Sequence, residues 1–178
     1  MTYRIPQQLR RFLKQEEGSA TVEFAIIAPL LMIILFSTVE LGLITVKQSM
    51  LERALDITTR DIRLGTGEAP QHDEIRNRVC ERTVFVNDCE SKMRLEMIQF
   101  DPFLWSGIDP TPDCTTSIED VQPVRNFVNG QSNELMYLRA CMKIDPIFPH
   151  WGLGGSLSKD SNGRFSLQAV SAFVQEPV

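Results

Sequence analysis

The chain has 178 residues, of which 43% are hydrophobic and 23% are charged, and its formal net charge is −5 at pH 7. This length accommodates one ordinary domain with a short additional segment, and it excludes a large multidomain enzyme. The composition is close to that of globular chains, which excludes a wholly disordered or a polytopic membrane protein. The acidic charge balance argues against nucleic acid as a partner.

Residues 1–18 form a basic leader ahead of the first apolar segment, with four basic residues and two acidic ones. The segment from Phe24 to Val46 that follows contains a single charged residue, Glu40. At about 1.5 Å per residue, a helix of this length covers about 34 Å, enough to cross a hydrocarbon core of about 30 Å. A basic flank stays on the cytoplasmic side of a first span. The sequence therefore predicts a single membrane span, with the N-terminus in the cytoplasm and the rest of the chain exported.

A carboxylate stands at the entrance of the apolar segment, in the run Gly-Ser-Ala-Thr-Val-Glu-Phe that extends from Gly18 to Phe24. Charged residues within membrane segments are costly to desolvate and are usually functional. A glycine five residues ahead of a glutamate, followed by an aromatic residue and an apolar helix, resembles the type IV prepilin processing site. The resemblance implies that a prepilin peptidase cuts between Gly18 and Ser19. It also implies that Glu23 and Phe24 serve subunit assembly, with Glu23 meeting the terminal amine of a neighbouring subunit.

Short sequence runs in the helix and at the C-terminus narrow this resemblance to one class of pilins. The runs that carry it are Thr21-Val22-Glu23-Phe24-Ala25, Pro29-Leu30-Leu31, Val39-Glu40-Leu41-Gly42 and, at the C-terminus, Ala172 to Pro177. Together they resemble the TadE/TadF-like minor pilins, or pseudopilins, of Tad (Flp) pilus systems. The resemblance implies a bacterial inner-membrane protein with a periplasmic head, whose partners are the prepilin peptidase, other pilin or pseudopilin subunits, the Tad assembly machinery and inner-membrane lipid. It leaves open the TadE or TadF subtype, and whether the protein enters the fibre or stays at its base.

Two alternatives remain for the acidic residues of the helix. Glu23 is also compatible with an uncleaved signal anchor, because the helix dipole favours an acid at the N-terminal end. In that case, the protein is a membrane-anchored module that binds a periplasmic ligand. Glu40 is expected near the far interface of the membrane, where it either reaches the headgroups or contacts another subunit.

Helical periodicity continues beyond the membrane segment. Apolar or small residues recur there at intervals of three and four positions, namely Met50, Leu51, Ala54, Leu55, Thr58 and Ile62. This pattern predicts one long helix over residues 19–64, with its transmembrane part at about 24–46. Gly65 and Gly67 follow as a C-cap and a flexible exit.

Residues 65–178 are predicted to form the head domain. A second helix is expected from about Gln71 to Cys80 or slightly beyond. Alternation of apolar and polar residues then predicts strands at Ser91–Phe100, Met136–Ile144 and Phe165–Phe173, with a further short strand near Val124–Val128. The predicted fold class is α+β, a long N-terminal helix with a small antiparallel-sheet head, as in pilins.

The four cysteines all follow the span and are therefore expected in an oxidising compartment, where disulfides are the default. They are Cys80, Cys89, Cys114 and Cys141. Four cysteines allow three pairings, and the sequence does not choose among them. The most local pairing joins Cys80 to Cys89 and Cys114 to Cys141.

The remaining motifs give no indication of an enzyme. No Cys-x-x-C, Ser-His-Asp or phosphate-binding loop is present, and the two histidines are isolated. We therefore expect no catalytic residues, no metal and no cofactor. The region from Pro146 to Gly155 combines apolar residues with Pro and Gly. It is interpreted either as a loop folded back over the small core or as an exposed apolar contact for another protein.

Overall fold

The computed structural model describes residues 19–64, 70–84, 86–101, 103, 114 and 127–177. Its elements in chain order are α1 (Ser19–Leu64), α2 (His72–Arg82), α3 (Cys89–Lys92), β1 (Met93–Gln99), β2 (Leu135–Ile144), α4 (Gly152–Ser156) and β3 (Phe165–Val174). The predicted α+β class, with a long N-terminal helix and a small antiparallel sheet, is confirmed. Gly18, the leader and the predicted exit at residues 65–69 lie outside the described residues.

The C-terminal part of α1 is an amphipathic helix that packs on the head. Most of its buried residues follow the predicted spacing of three and four positions, although Met50 is only partly buried; they are Leu51, Ala54, Leu55, Thr58, Thr59 and Ile62. This face lies against β3 and α2. The residues between them, such as Glu52 and Arg53, are exposed. One apolar face of the helix is therefore used to build the core of its own chain.

The sheet has the order β1-β2-β3, and both pairs of neighbours are antiparallel. The two edge strands alternate as predicted, with buried Met93, Leu95 and Met97 in β1 and with Phe165 and Leu167 among the buried residues of β3. Alternation of this kind is typical of a sheet whose inner face covers a core.

The central strand differs from the predicted alternation, because β2 is buried at its middle on both faces. Arg139 is only 6% exposed, and its Nε donates to Glu96 of β1 at 2.7 Å. Cys141 is also buried, and it is bonded to Cys114. Arg139 and Cys141 both lie on the face of β2 that the sequence predicted to be exposed. The ion pair with Glu96 and the disulfide with Cys114 satisfy these side chains, which explains why they are buried.

Two disulfides tie the head together. Cys80 at the end of α2 is joined to Cys89 at the start of α3, with 5.7 Å between their Cα atoms. Cys114 is joined to Cys141 of β2, with 5.5 Å between their Cα atoms. This is the most local of the three pairings that the sequence allows. Bridges of this kind typically stabilise a small domain by about 2–4 kcal/mol.

Two short helices and one strand depart from the sequence prediction. α3 and α4 were not predicted, because four or five residues are too few to show a helical period. Of the strand predicted near Val124–Val128, residues 124–126 lie outside the described part of the chain. Phe127 forms one parallel bridge with Met97 of β1.

Candidate functional site

The N-terminal part of α1 is exposed and apolar on every side. Its large exposed residues are Val22, Phe24, Ile26, Ile27, Leu30, Leu31, Met32, Ile33, Ile34 and Leu35. Six consecutive exposed apolar residues, from Leu30 to Leu35, cover more than a full helical turn. The helix is long and apolar enough to cross a membrane, and its apolar window has no buried residue. A helix that is apolar all round needs lipid or other helices around it.

The predicted processing and assembly residues lie at the start of this exposed segment. α1 begins at Ser19, the residue that follows the predicted cut, while Gly18 lies outside the described residues. Glu23 is four positions after Ser19, so the two positions lie about one turn apart on the same helix face. Glu23 is exposed, and Phe24 beside it is 70% exposed.

The second carboxylate of the helix, Glu40, lies in a completely different environment. It is only 1% exposed. Its Oε1 accepts hydrogen bonds from the backbone N–H groups of Ile147, at 2.9 Å, and Phe148, at 3.1 Å. Its Oε2 accepts a third from the N–H of Gly154 at 2.8 Å. A carboxylate can be buried when several charge-assisted hydrogen bonds replace its water, and these three bonds do so.

Both predictions for Glu40 are therefore wrong. It neither reaches headgroups nor presents its carboxylate to another subunit, because it is buried against the head of its own chain. Ser37, one turn earlier on the same face, adds a fourth contact by accepting from the N–H of Leu153 at 3.2 Å. We call Ser37, Glu40 and these four backbone N–H groups the helix clamp. Residues 146–157, which it holds, are the clamp loop.

Glycine is required at two positions of the clamp loop. A Cβ on Gly154 would lie 2.6 Å from Glu40 Oε1 and 2.6 Å from the carbonyl oxygen of Phe148. Gly152 has φ +60°, and a Cβ there would lie 2.9 Å from Ser37 Oγ. The absence of side chains at these positions lets the loop backbone approach the helix closely enough to reach Glu40.

Aromatic side chains complete the contact between loop and helix. The ring of Phe36 lies 5.4 Å from that of Phe148 and 5.6 Å from that of Trp151, and the last two rings are 4.6 Å apart. The loop does fold back, but onto α1, and only Leu157 at its end packs against the core. The expected lid over the core is therefore corrected to a loop held on α1.

The base of the clamp loop is fixed by a second set of polar contacts. Lys159 Nζ donates to the carbonyl oxygens of Pro149, at 2.5 Å, and Gly154, at 2.8 Å. Next to it, Asp160 Oδ1 accepts from the backbone N–H groups of Arg164, at 2.9 Å, and Asn162, at 3.0 Å. Burial opposes ionisation of Asp160, but these hydrogen bonds and the charge of the nearby Lys143 outweigh it and lower the pKa of its carboxyl group.

Within the described part of the chain, no group of three or more His, Cys, Asp and Glu side chains could hold a metal ion. The expectation that the protein is not an enzyme stays a prediction. The features that remain as candidates for function are therefore the exposed helix and the loop clamped to it.

Comparison with known proteins bears on this helix. A protein-family model described as TadE-like protein matches residues 18–60. This part of the chain is therefore similar to the TadE-like family. The TadE-like match begins at Gly18 and includes Glu23, Ser37 and Glu40. It confirms the resemblance found in the sequence and supports a protein associated with a Tad pilus. No curated protein and no solved structure matches the chain.

Sequence analysis did not find the partners of Glu40, which lie 107 to 114 positions away in the chain. One signal was available. The run Gly-Leu-Gly-Gly, from Gly152 to Gly155, indicates a backbone that something approaches closely. A glutamate in an apolar segment needs several donors. Neither pattern alone specifies that the two meet.

Proposed function

We propose that the protein is a minor pilin or pseudopilin of a Tad/Flp-type pilus, processed by a prepilin peptidase between Gly18 and Ser19. The observation that carries this proposal is the exposed segment of α1. It starts at Ser19, is apolar on every side and bears one exposed carboxylate, Glu23, near its beginning. Such a surface is suited to lateral packing among other helices of the same kind within or above a membrane.

The position of Glu23 supports assembly through charge pairing. Cleavage after Gly18 creates a new amine on Ser19, about one helical turn before Glu23. In a bundle of such helices, the amine of one subunit and the carboxylate of the next pair in a region of low dielectric. Each charge alone is costly there, so the pair favours assembly over separate subunits.

The distribution of charge and cysteine supports the orientation. The basic leader stays in the cytoplasm, and the head is exported to the periplasm across the inner membrane. The two disulfides of the head fit an oxidising compartment. The proposed partners are thus the prepilin peptidase on the cytoplasmic side, other pilin or pseudopilin subunits with the Tad machinery, and the surrounding lipid.

Processing is tested by the mass of the mature N-terminus. The full chain is expressed with an active prepilin peptidase of a Tad system and with an inactive one. We expect the active peptidase to remove 18 residues and leave Ser19 as the first residue. Gly18→Glu should block the cut because of its bulk and charge, and Gly18→Ala is the matched control that should still be processed.

A chain that retains Met1 in the presence of active peptidase contradicts the proposal. That outcome favours the alternative function, an uncleaved membrane-anchored module that binds a periplasmic ligand.

A further inference from the structure

We propose that the clamp loop binds the lipid bilayer itself, with Ile147, Phe148 and Trp151 at the boundary between headgroups and acyl chains on the side of the membrane where the head lies. The partner is a phospholipid surface. This inference requires that α1 spans a membrane, but it does not depend on cleavage at Gly18 or on pilus assembly. Its failure and the failure of the proposed function are therefore distinguishable.

The loop contacts α1 at a depth that lies within the proposed membrane span. A hydrocarbon core takes up about 20 helical residues, so a span that begins at Phe24 ends near Leu43. The loop contacts α1 earlier, at Phe36, Ser37 and Glu40. Even counted from Ser19, the helix ahead of Phe36 is only about 26 Å long at 1.5 Å per residue, which does not cross a core of about 30 Å. The loop therefore overlaps the outer part of the span.

Many backbone N–H and carbonyl groups of the loop are hydrogen-bonded within the protein. Non-helical backbone is tolerated at membrane depth only where its polar groups are paired inside the protein. Four N–H groups of the loop are bonded to Glu40 and Ser37. Lys159 Nζ donates hydrogen bonds to the carbonyl oxygens of Pro149 and Gly154. Pro146 and Pro149 have no N–H to satisfy. A loop that faces only water has less need for this many internal hydrogen bonds.

The chemistry of the loop surface supports the same inference. Residues 146–158 contain no Asp, Glu, Lys or Arg, in a chain that is 23% charged. Ile147 is 49% exposed and Trp151 is 41% exposed. On the adjoining helix, Val39 and Leu43 are exposed as well, so the apolar surface of the loop continues onto the span. Tryptophan is enriched at membrane interfaces, because its ring is amphipathic.

The experiment measures where Trp151 lies relative to lipid. The full chain has two tryptophans, so Trp105→Phe leaves Trp151 as the only one. The protein is reconstituted at a low protein-to-lipid ratio into phosphatidylethanolamine and phosphatidylglycerol vesicles that carry bromine near the headgroup or near the end of the acyl chain. We expect the shallow bromine to reduce Trp151 emission about twofold or more, the deep bromine to reduce it less, and aqueous iodide to have little effect.

The matched control places a tryptophan on the head far from the proposed contact. Val174 is 48% exposed at the end of β3. The nearby Glu176 is paired with Arg63 at 3.0 Å, about 34 Å along the helix from Glu40. Val174→Trp, in a Trp105→Phe/Trp151→Phe background, should be quenched by iodide and unaffected by either brominated lipid. Subtracting Trp151→Phe emission from that of the wild type isolates Trp151 without relying on the Trp105→Phe variant to fold.

Two results overturn the inference. If iodide quenches Trp151 as readily as the control tryptophan, the loop faces water. If Trp151 is shielded from iodide but is not quenched by brominated lipid, a protein covers the loop, and shielding that grows with the protein-to-lipid ratio identifies that protein as a second copy.

Discussion

The two halves of α1 belong to one continuous helix but have opposite surfaces. Residues 24–35 are apolar and, apart from the partly buried Ala28, exposed, whereas residues 51–62 bury one face against the head and expose the other. The helix also has two acidic residues in contrasting environments, since Glu23 is exposed, whereas Glu40, between these two segments, is 1% exposed among backbone N–H groups. The hydrophobicity of a helix segment alone does not show whether it packs on the core of its own chain or is exposed for contacts with other molecules. The distribution of apolar residues around the helix axis distinguishes the two cases.

The largest expected effect is a difference in protein stability between the variants that lack one or the other carboxylate. Glu40→Ala removes the acceptor of three N–H groups, the buried one of Gly154 and the partly buried ones of Ile147 and Phe148, at a cost of about 1–3 kcal/mol for each group that water cannot reach. We expect the free energy of unfolding of the head to fall by about 3 kcal/mol or more, as measured by denaturant titration in detergent.

Glu23→Ala is the matched control on the same helix and should change that free energy by less than about 0.5 kcal/mol, because Glu23 lies on the exposed part. Equal stabilities of the two variants would show that the helix clamp does not hold the head.

The second prediction concerns assembly, where replacing Glu23 is expected to have a larger effect than replacing Glu40. Glu23→Ala should be processed and inserted normally, because alanine is compatible with a helix and the peptidase acts before the amine exists. Its association with other pilus subunits should fall at least about tenfold, because the partner's amine is then left unpaired. Co-purification with the other Tad components and a count of pili measure this. Normal assembly of a cleaved, inserted Glu23→Ala protein contradicts the charge-pairing role.

A third prediction concerns the glycine that faces Glu40. Gly154→Ala puts a Cβ 2.6 Å from Glu40 Oε1, so the loop must move away from the helix, at a cost of about 1–3 kcal/mol. Gly42→Ala is the control, because a Cβ there meets nothing within 4 Å, and alanine favours the helix by up to about 1 kcal/mol. The melting temperature of Gly154→Ala should therefore lie below that of the wild type, and that of Gly42→Ala should lie at or above it.

The smallest expected effect is the dependence of stability on pH at the base of the clamp loop. The pKa of Asp160 is lowered in the folded protein, so its contribution is present above the unfolded pKa of about 3.9 and is lost as the pH falls through the folded value. Asp160→Asn should cost about 1 kcal/mol or less at pH 7, and this cost should shrink as the pH falls through the folded pKa of Asp160. Unfolding curves across this range measure the difference, and a cost that does not change with pH would assign it to lost packing instead.

The predicted elements of this protein were those with a repeating local pattern. The 3.6-residue period of α1 and the alternation in β1 and β3 depend on which face meets the core, so the sequence predicted them closely. The burial of Arg139 on the second face of β2 was missed, because it depends on a partner, Glu96, in another strand. The helix clamp was missed for the same reason, since Glu40 and Gly154 are 114 positions apart.

The continuity of α1 has a mechanical consequence. The helix runs without a break from Ser19 to Leu64 and contacts the head twice, through the face that packs on the core and through the clamp loop, which binds Glu40 about three turns before the core. We therefore expect a force applied along the helix axis to reach the head through both of these contacts. In the proposed pilus function, a machine that draws the helix out of lipid is expected to move the head along with it.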